Sequence, residues 1–132
     1  MFFDLLSLDL GITTGFWAFP DVDEEWVCGE WAFDSYRDSL QRFVRLYGEP
    51  LNIVAEKPQI LYPGQLQQKL HQVIVDTQVL CDHVHFTTPS QWKQSHGRIP
   101  VPKVNSAFAE GERVSAHMKD AYRMGVWYLE RK

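Results

Sequence analysis

An apolar run near the start of the chain limits the fold more than any other feature of the sequence. Residues 3–10, FDLLSLDL, are apolar except for Asp4, Ser7 and Asp9. The run is long enough for one strand and too short for a helix. Strands with this continuous apolar character are typical of the centre of a sheet that is covered on both faces. We therefore expect residues 3–10 to form a central strand that ends near an aspartate.

Further strands and helices are predicted from the spacing of apolar residues and the positions of glycine and proline. Residues 15–19 and 26–33 are expected to form two strands on either side of an acidic tip at 21–25, completing an antiparallel meander. The rest of the chain is expected to form strands at 52–56 and 83–88, helices at 35–48, 65–81 and 114–130, a short helical turn at 90–94, and a short segment at 103–110.

The order of these elements predicts the fold class. Strands that are joined through helices add in parallel to the first strand of the meander, because such crossovers are right-handed and place the helices on the faces of the sheet. The expected result is one α/β domain over residues 1–132. Its mixed five-stranded sheet has a three-strand antiparallel meander plus two parallel strands, with helices on both faces. This architecture resembles the RNase H-like fold.

Composition excludes several other classes of protein. Hydrophobic residues make up 45% of the chain and charged residues 23%, which favours a globular core over disorder. No apolar run approaches the roughly 20 residues that span a bilayer, and the first residues lack the basic start of a secretory signal. A cytoplasmic protein with no membrane partner is therefore expected. Cys28 and Cys81 have no second ligand pair nearby and are expected to be free, buried thiols.

Three acidic residues are predicted to meet at one edge of the sheet. Asp9 lies near the end of the first strand and Glu56 ends the fourth, so their carboxylates emerge at the same edge if these strands are parallel neighbours. Asp120 lies one turn into the last helix, three residues after His117 and on the same helix face. Taken singly, each is more often a turn, surface or polar-face residue. Their joint placement favours catalysis.

Clustered carboxylates repel each other strongly unless a cation compensates them. Oxygen ligands with one imidazole suit Mg²⁺ or Mn²⁺, and a pair of such ions supports in-line attack on a phosphodiester. We therefore expect a catalytic metal site made of Asp9, Glu56, His117 and Asp120. The formal net charge of −4 does not exclude a nucleic-acid partner, because bound divalent cations invert the local field.

Four segments resemble the RuvC-type Holliday junction resolvases. They are LSLDLGITTGF at 6–16, IVAEKPQ at 53–59, TTPSQWKQ at 87–94 and HMKDAYRMGVWYL at 117–129. That family opens with a strand ending in Asp-x-Gly-x-x-x-Gly and has a Glu after a later apolar strand. It continues with Pro-x-x-x-Lys after the fifth strand and closes with a His/Asp-x-x-Asp-Ala helix. The last of these motifs is the most specific, and together they cover nearly the whole chain.

The resemblance implies a homodimeric endodeoxyribonuclease that nicks branched, four-way DNA symmetrically with two Mg²⁺ or Mn²⁺ ions per site. Asp9, Glu56, His117 and Asp120 match the metal-ligand positions of the family. Compact versions of the family point to a bacterial or phage-infected cell. The second helix, 65–81, either pairs with its twin through residues such as Val75 and Val79 or is a buried core helix. The residues expected to contact DNA are Lys57, Tyr62, Lys93, Arg98, Lys103 and Lys119.

Other interpretations remain open at the level of the sequence. DLGITTG resembles the phosphate hairpin of actin-like and sugar-kinase ATPases, but those enzymes need a second domain, so no nucleotide cofactor is expected. A silent nucleic-acid-binding module of the same fold is a second alternative. The third keeps the chemistry but acts on flaps, nicked duplex or RNA–DNA hybrid. Cys81, His83 and His85 lie close in sequence but lack a fourth zinc ligand. Trp92 is expected to be core or dimer-interface bulk, and contact with DNA beside Lys93 is the alternative.

Overall fold

The computed structural model of the chain describes residues 3–20, 26–58, 64–103 and 114–131. Within these ranges every predicted strand and helix is present. The elements are β1 (Phe3–Asp9), β2 (Thr13–Pro20), β3 (Val27–Ala32), α1 (Tyr36–Tyr47), β4 (Asn52–Glu56), α2 (Gln65–Leu80), β5 (Val84–Thr87), α3 (Pro89–His96) and α4 (Ala116–Glu130). The predicted acidic tip at 21–25 and residues 104–110 of the predicted segment lie outside the described residues.

The five strands form one mixed sheet in the order β3-β2-β1-β4-β5. Strand β1 pairs antiparallel with β2 and parallel with β4, while β2 pairs antiparallel with β3 and β4 pairs parallel with β5. The meander, the two added parallel strands and the central position of β1 are therefore confirmed. The predicted α/β fold class is correct.

Helices cover both faces of the sheet, as predicted, and each face has its own apolar core. Side chains alternate between the faces along a strand. In β1, Leu6 and Leu8 pack in the cluster beneath α1 and α2, whereas Leu5 packs in the cluster beneath α3 and α4. The same alternation places Asp9 on the α3–α4 face. Glu56 lies on that face too, because Val54 of β4 belongs to the α3–α4 cluster.

Most elements begin or end one or two residues away from their predicted bounds, and capping explains the differences at α3 and α4. A short helical turn was predicted at 90–94, but α3 runs from Pro89 to His96. Pro89 occupies the first helical position, where its missing N–H costs nothing, and Gln91 Oε1 accepts a hydrogen bond of 3.0 Å from the Thr88 backbone N–H. Helix α4 starts at Ala116 rather than 114, because the Ser115 side chain caps it by accepting from the Met118 N–H at 3.2 Å.

Cys28 and Cys81 are both buried thiols, as predicted. Burial raises the pKa of the Cys28 thiol to about 11 and that of Cys81 to about 12, so both are neutral thiols at physiological pH. Among the described helices, none combines the length and apolar character needed to cross a membrane.

Candidate active site

Asp9 and Glu56 face each other across the parallel pair of β1 and β4. The two residues are direct partners in the strand register, and each is only 9% exposed. Their side chains are close enough for each to shift the pKa of the other. Two carboxyl groups meet in this way because both terminate parallel strands and both point to the α3–α4 face. The predicted meeting of Asp9 and Glu56 at one edge is confirmed.

Burial and mutual repulsion make this pair reluctant to carry two negative charges. The pKa of Glu56 is raised to about 7, first by burial and then by the charge of Asp9. Hydrogen bonding from Trp92 and the charge of Lys93 oppose that rise. The pKa of Asp9 is also raised, chiefly by burial, although its hydrogen bond to His117 acts in the opposite direction. The pair therefore tends to hold a proton between its members when no cation is present.

Helix α4 brings His117 and Asp120 to the same edge. His117 Nδ1 lies 3.1 Å from Asp9 Oδ2, within hydrogen-bond distance, and the His117 side chain is 52% exposed. Asp120 is half-buried, and its charge raises the pKa of Asp9, so the two carboxylates are close enough to repel. The four residues predicted for the site thus lie together, with Asp9 as their common neighbour.

Gly15 allows the start of α4 to approach β2 closely enough to bring His117 to Asp9. It is the partner of Asp9 in the β1–β2 register, and a Cβ built on it would collide with the backbone carbonyl of His117 and lie 2.7 Å from the His117 Cβ. A methyl group there would force the start of α4 away from the sheet. The second glycine of the Asp-x-Gly-x-x-x-Gly motif is therefore required by the distance between β2 and α4.

Trp92 of α3 contacts the site from inside the protein. The side chain is fully buried, and its Nε1–H donates a hydrogen bond of 3.0 Å to Glu56 Oε1. The expectation that Trp92 belongs to the core is therefore confirmed, and the alternative that it is exposed to DNA is wrong. The sequence did contain a signal, since Trp92 is the one large apolar residue of PSQWKQSH, and a lone apolar residue on a polar helix usually faces the core.

Three of the predicted DNA-contacting lysines adjoin residues of the site in sequence. Lys57 follows Glu56, Lys119 precedes Asp120, and Lys93 follows Trp92; all three are exposed. Lys93 Nζ lies 5.6 Å from the centroid of a Trp92 ring, and the charge of Lys93 lowers the pKa of Glu56. Of these lysines, Lys93 acts electrostatically on the acidic pair, whereas Lys57 Nζ lies 4.8 Å from the centroid of the Phe86 ring.

The other predicted DNA contacts are not tied to the acids in the same way. Arg98 and Lys103 are exposed on the segment after α3, and no contact links them to the carboxylates within the described ranges. That segment is held to α4 by Arg123, whose Nε–H donates to the Ile99 carbonyl oxygen at 3.0 Å. Tyr62 lies outside the described residues.

The described residues contain no group of three or more His, Cys, Asp or Glu side chains already arranged to hold a metal ion. The arrangement consists of a carboxyl pair, an imidazole on Asp9 and a third carboxylate within electrostatic range. Chemically, such a cluster attracts hard cations and repels an unaccompanied phosphate. An exposed lysine such as Lys93, whose charge acts on Glu56, attracts the phosphates of a nucleic acid.

Comparison with protein-family models finds no match, and no curated protein matches the chain. Solved structures do match. T. thermophilus RuvC in complex with Holliday junction substrate superposes with a TM-score of 0.66 at 13% identity, covering 96% of this chain and 95% of that one. A second Thermus thermophilus RuvC structure gives a TM-score of 0.59 at the same identity and coverage. The chain therefore has the RNase H-like fold of RuvC, as the sequence resemblance implied.

Proposed function

We propose that this chain is a divalent-metal-dependent endonuclease that cleaves branched DNA and resolves four-way junctions by paired nicks. The observation that carries the proposal is the buried Asp9–Glu56 pair at the edge of a sheet with the RuvC fold. The matched RuvC structure contains a Holliday junction substrate, which supports branched DNA as the substrate class here. We place this activity in the cytoplasm of a bacterial or phage-infected cell, within the single domain of residues 1–132.

The donor set fits Mg²⁺ or Mn²⁺. Burial raises the pKa of both Asp9 and Glu56, so the pair is unfavourable as two anions unless a cation lies against it. Carboxylate oxygens with one imidazole are ligands that these hard ions accept. When bound, a pair of such ions polarises the scissile phosphate and activates the attacking water. Asp9, Glu56, His117 and Asp120 would hold them.

Each protein group has its own part in this proposal. Asp9 would lie at the centre of the ligand set, because it is beside Glu56 and His117 and within electrostatic range of Asp120. Rotation of the half-buried Asp120 side chain would complete the ligand set. His117 orients the Asp9 carboxylate through Nδ1. The fixed strands and α4 hold these groups in place before substrate binds, which limits the cost of organising the site.

Positive charge around the acids would bind the DNA backbone. Lys57, Lys93 and Lys119 are exposed and adjoin the site, so we assign them phosphate contacts. The assignment of further contacts to Arg98 and Lys103 rests on their exposure on the neighbouring segment. For Tyr62 it rests on the resemblance alone, and we propose that it stacks on an unpaired base at the junction centre.

Paired nicks require two active sites, and α2 is the surface that we propose for the homodimer. One side of α2 packs on the core through Leu70 and Val73. The opposite side leaves Val75 45% exposed and Val79 63% exposed, four residues apart and thus on one helix face. Apolar residues exposed in this way are typical of a helix that pairs with a partner. Sedimentation equilibrium of the protein and of Val79→Glu tests this surface.

The substrate is tested with labelled four-way junction, flap, nicked duplex and RNA–DNA hybrid, each with Mg²⁺, Mn²⁺ or a chelator. We expect metal-dependent, symmetric nicks in opposing strands of the junction. Cleavage of flaps or hybrid instead would retain the fold and chemistry but discard junction resolution. Binding without cleavage of any substrate would contradict the proposal and favour a silent nucleic-acid-binding module.

A further inference from the structure

The hydrogen bond from Trp92 to Glu56 differs from the other contacts of the site because it comes from the protein interior. The indole is fully buried in the apolar cluster beneath α3 and α4. Its Nε1–H reaches Glu56 Oε1 at 3.0 Å. A glutamate side chain has three rotatable bonds, whereas a packed indole is nearly immobile. The bond therefore fixes the orientation of a carboxylate that would otherwise have several rotamers.

Burial of a tryptophan on this face does not by itself require such a bond. Trp17 of β2 is also fully buried in the same cluster, and its Nε1 has no hydrogen-bond partner within the described part of the chain. The interior thus accommodates one indole N–H without a partner while directing the other at an acid of the site. Since Trp17 and Trp92 share residue type, burial and cluster, they form a matched pair.

Helix α3 also connects this bond to the protein surface. Trp92 points inward to Glu56, while the exposed Lys93 lies with Nζ 5.6 Å from a Trp92 ring centroid. The start of α3 is fixed to the end of β5, where Thr87 Oγ1 donates to Gln91 Oε1 at 2.6 Å. A single short helix therefore contacts both Glu56 and, through Lys93, the surface assigned to DNA.

We propose that Trp92 is a positioning residue that holds Glu56 in its metal-binding orientation through the indole N–H. The inference rests on the proposed function, because it assigns Glu56 to the metal site. Trp92 does not touch metal or substrate and acts only through Glu56. Loss of the N–H should therefore weaken metal binding and slow the chemical step without changing DNA affinity.

The test compares Trp92→Phe with Trp17→Phe. Both changes remove an indole N–H and similar volume from the same cluster, but only the first removes a hydrogen bond to Glu56. Mn²⁺ binding is measured without DNA by electron paramagnetic resonance, and junction cleavage is measured at saturating Mg²⁺. We expect about tenfold weaker Mn²⁺ binding and a lower kcat with unchanged KM for Trp92→Phe, and wild-type values for Trp17→Phe.

A second measurement uses the unaltered protein, so it does not depend on whether Trp92→Phe folds. In ¹⁵N-labelled protein without DNA, addition of Mg²⁺ should shift the Trp92 indole N–H resonance and leave that of Trp17 in place. Glu56→Gln without metal should also move the Trp92 resonance, because the acceptor changes from a carboxyl to an amide oxygen.

The outcomes separate this inference from the proposed function. If the wild type binds Mn²⁺ and cleaves junctions but Trp92→Phe behaves like Trp17→Phe, Trp92 has no positioning role while the nuclease assignment stands. A Trp92 resonance that ignores both Mg²⁺ and Glu56→Gln would also overturn the positioning role. If the wild type neither binds metal nor cleaves, the proposed function fails and the inference fails with it.

Discussion

Two regions of this molecule bury carboxylates, and they treat them in opposite ways. Between α1 and α2, Asp76 is only 6% exposed. The chain itself supplies donors to it: Gln72 Nε2 donates at 2.8 Å, and Arg37 Nη1 lies 3.6 Å away. Nearby, the hydroxyl groups of Tyr36 and Thr77 are hydrogen-bonded at 2.6 Å. The buried polar groups of this region therefore satisfy one another.

At the sheet edge, Asp9 and Glu56 are nearly as buried as Asp76, but each has the other acid as its neighbour. Their pKa values are raised, so the chain alone stabilises this pair poorly in its charged form. Asp76 and the Asp9–Glu56 pair are similarly buried but have different partners. Asp76 is therefore a structural acid, whereas the pair is suited to an external cation. The partners of a buried acid, more than its burial, therefore indicate its role.

Without metal, the free energy of unfolding should depend on pH, and this dependence should show the biggest contrast in stability between the two regions. Because the folded-state pKa of Glu56 is raised from 4.5 to about 7, its contribution to folding is fully present below pH 4.5 and lost as pH rises through 7. Between these two pH limits, the free energy of unfolding should fall by roughly 3 kcal/mol. Glu56→Gln cannot ionise, so at pH 8 it should be more stable than the wild type, and at pH 4.5 equally stable. Urea unfolding at both pH values, in chelator, measures this.

Asp76→Asn is the control from the other region. Asp76→Asn removes the charge that pairs with Arg37 and leaves Gln72 a neutral amide oxygen as acceptor in place of a carboxylate. It should therefore lower the free energy of unfolding at pH 8. At pH 8 we therefore expect Glu56→Gln to raise the free energy of unfolding and Asp76→Asn to lower it. Destabilisation by both would mean that the Asp9–Glu56 pair is compensated within the protein, and the contrast between the regions would not hold.

A second prediction concerns the close approach of α4. Gly15→Ala introduces a methyl group against the His117 carbonyl, which should push the start of α4 outward and carry His117 away from Asp9. We expect a loss of about 1–3 kcal/mol in the free energy of unfolding and slower cleavage. Gly11→Ala is the control, since its methyl would lie 3.3 Å from the Thr13 carbonyl oxygen and not against α4. Equal effects of the two changes would contradict this role of Gly15.

The smallest expected effect separates the surface lysines of the two regions. Lys93 beside the site and Lys69 on α2 are both exposed. Their Nζ atoms lie over aromatic rings, 5.6 Å from the Trp92 centroid and 5.4 Å from the Phe33 centroid. Lys93→Ala should weaken junction binding and reduce the slope of log affinity against log salt by about 1. Lys69→Ala should leave both unchanged. Fluorescence anisotropy over a salt series measures the slopes, and equal slopes would remove Lys93 from the DNA-binding surface.

Much of the fold was predictable from the sequence, because periodicity and chain order determine a mixed sheet almost completely. The neighbouring parallel strands β1 and β4 brought Asp9 and Glu56 together as expected. The resemblance to RuvC led to the same fold, which the structural comparison confirms. The predicted helix ends were less accurate where capping residues determine them, as at Pro89 in α3 and Ser115 before α4.

The support around the acids was harder to predict. The contact of Trp92 with Glu56 depends on how α3 packs on the sheet. The local pattern indicates that Trp92 faces the core, but not which polar group its N–H reaches. The role of Gly15 depends on the distance between two elements that lie far apart in sequence. The metal ligation and the dimer remain predictions, since both depend on ions or a second copy of the chain.

The proposal that Asp9 holds catalytic metal ions is tested most directly by Asp9→Asn. Cleavage and binding of a four-way junction are measured with Mg²⁺. Cleavage should fall by about a thousandfold or more, since the several kcal/mol of transition-state stabilisation from the ions would be lost. Binding should persist or strengthen, because one repulsive carboxylate has been removed. Asp76→Asn, assayed below its melting temperature, should cleave like the wild type. Cleavage by Asp9→Asn at the wild-type rate would contradict metal-dependent catalysis through Asp9.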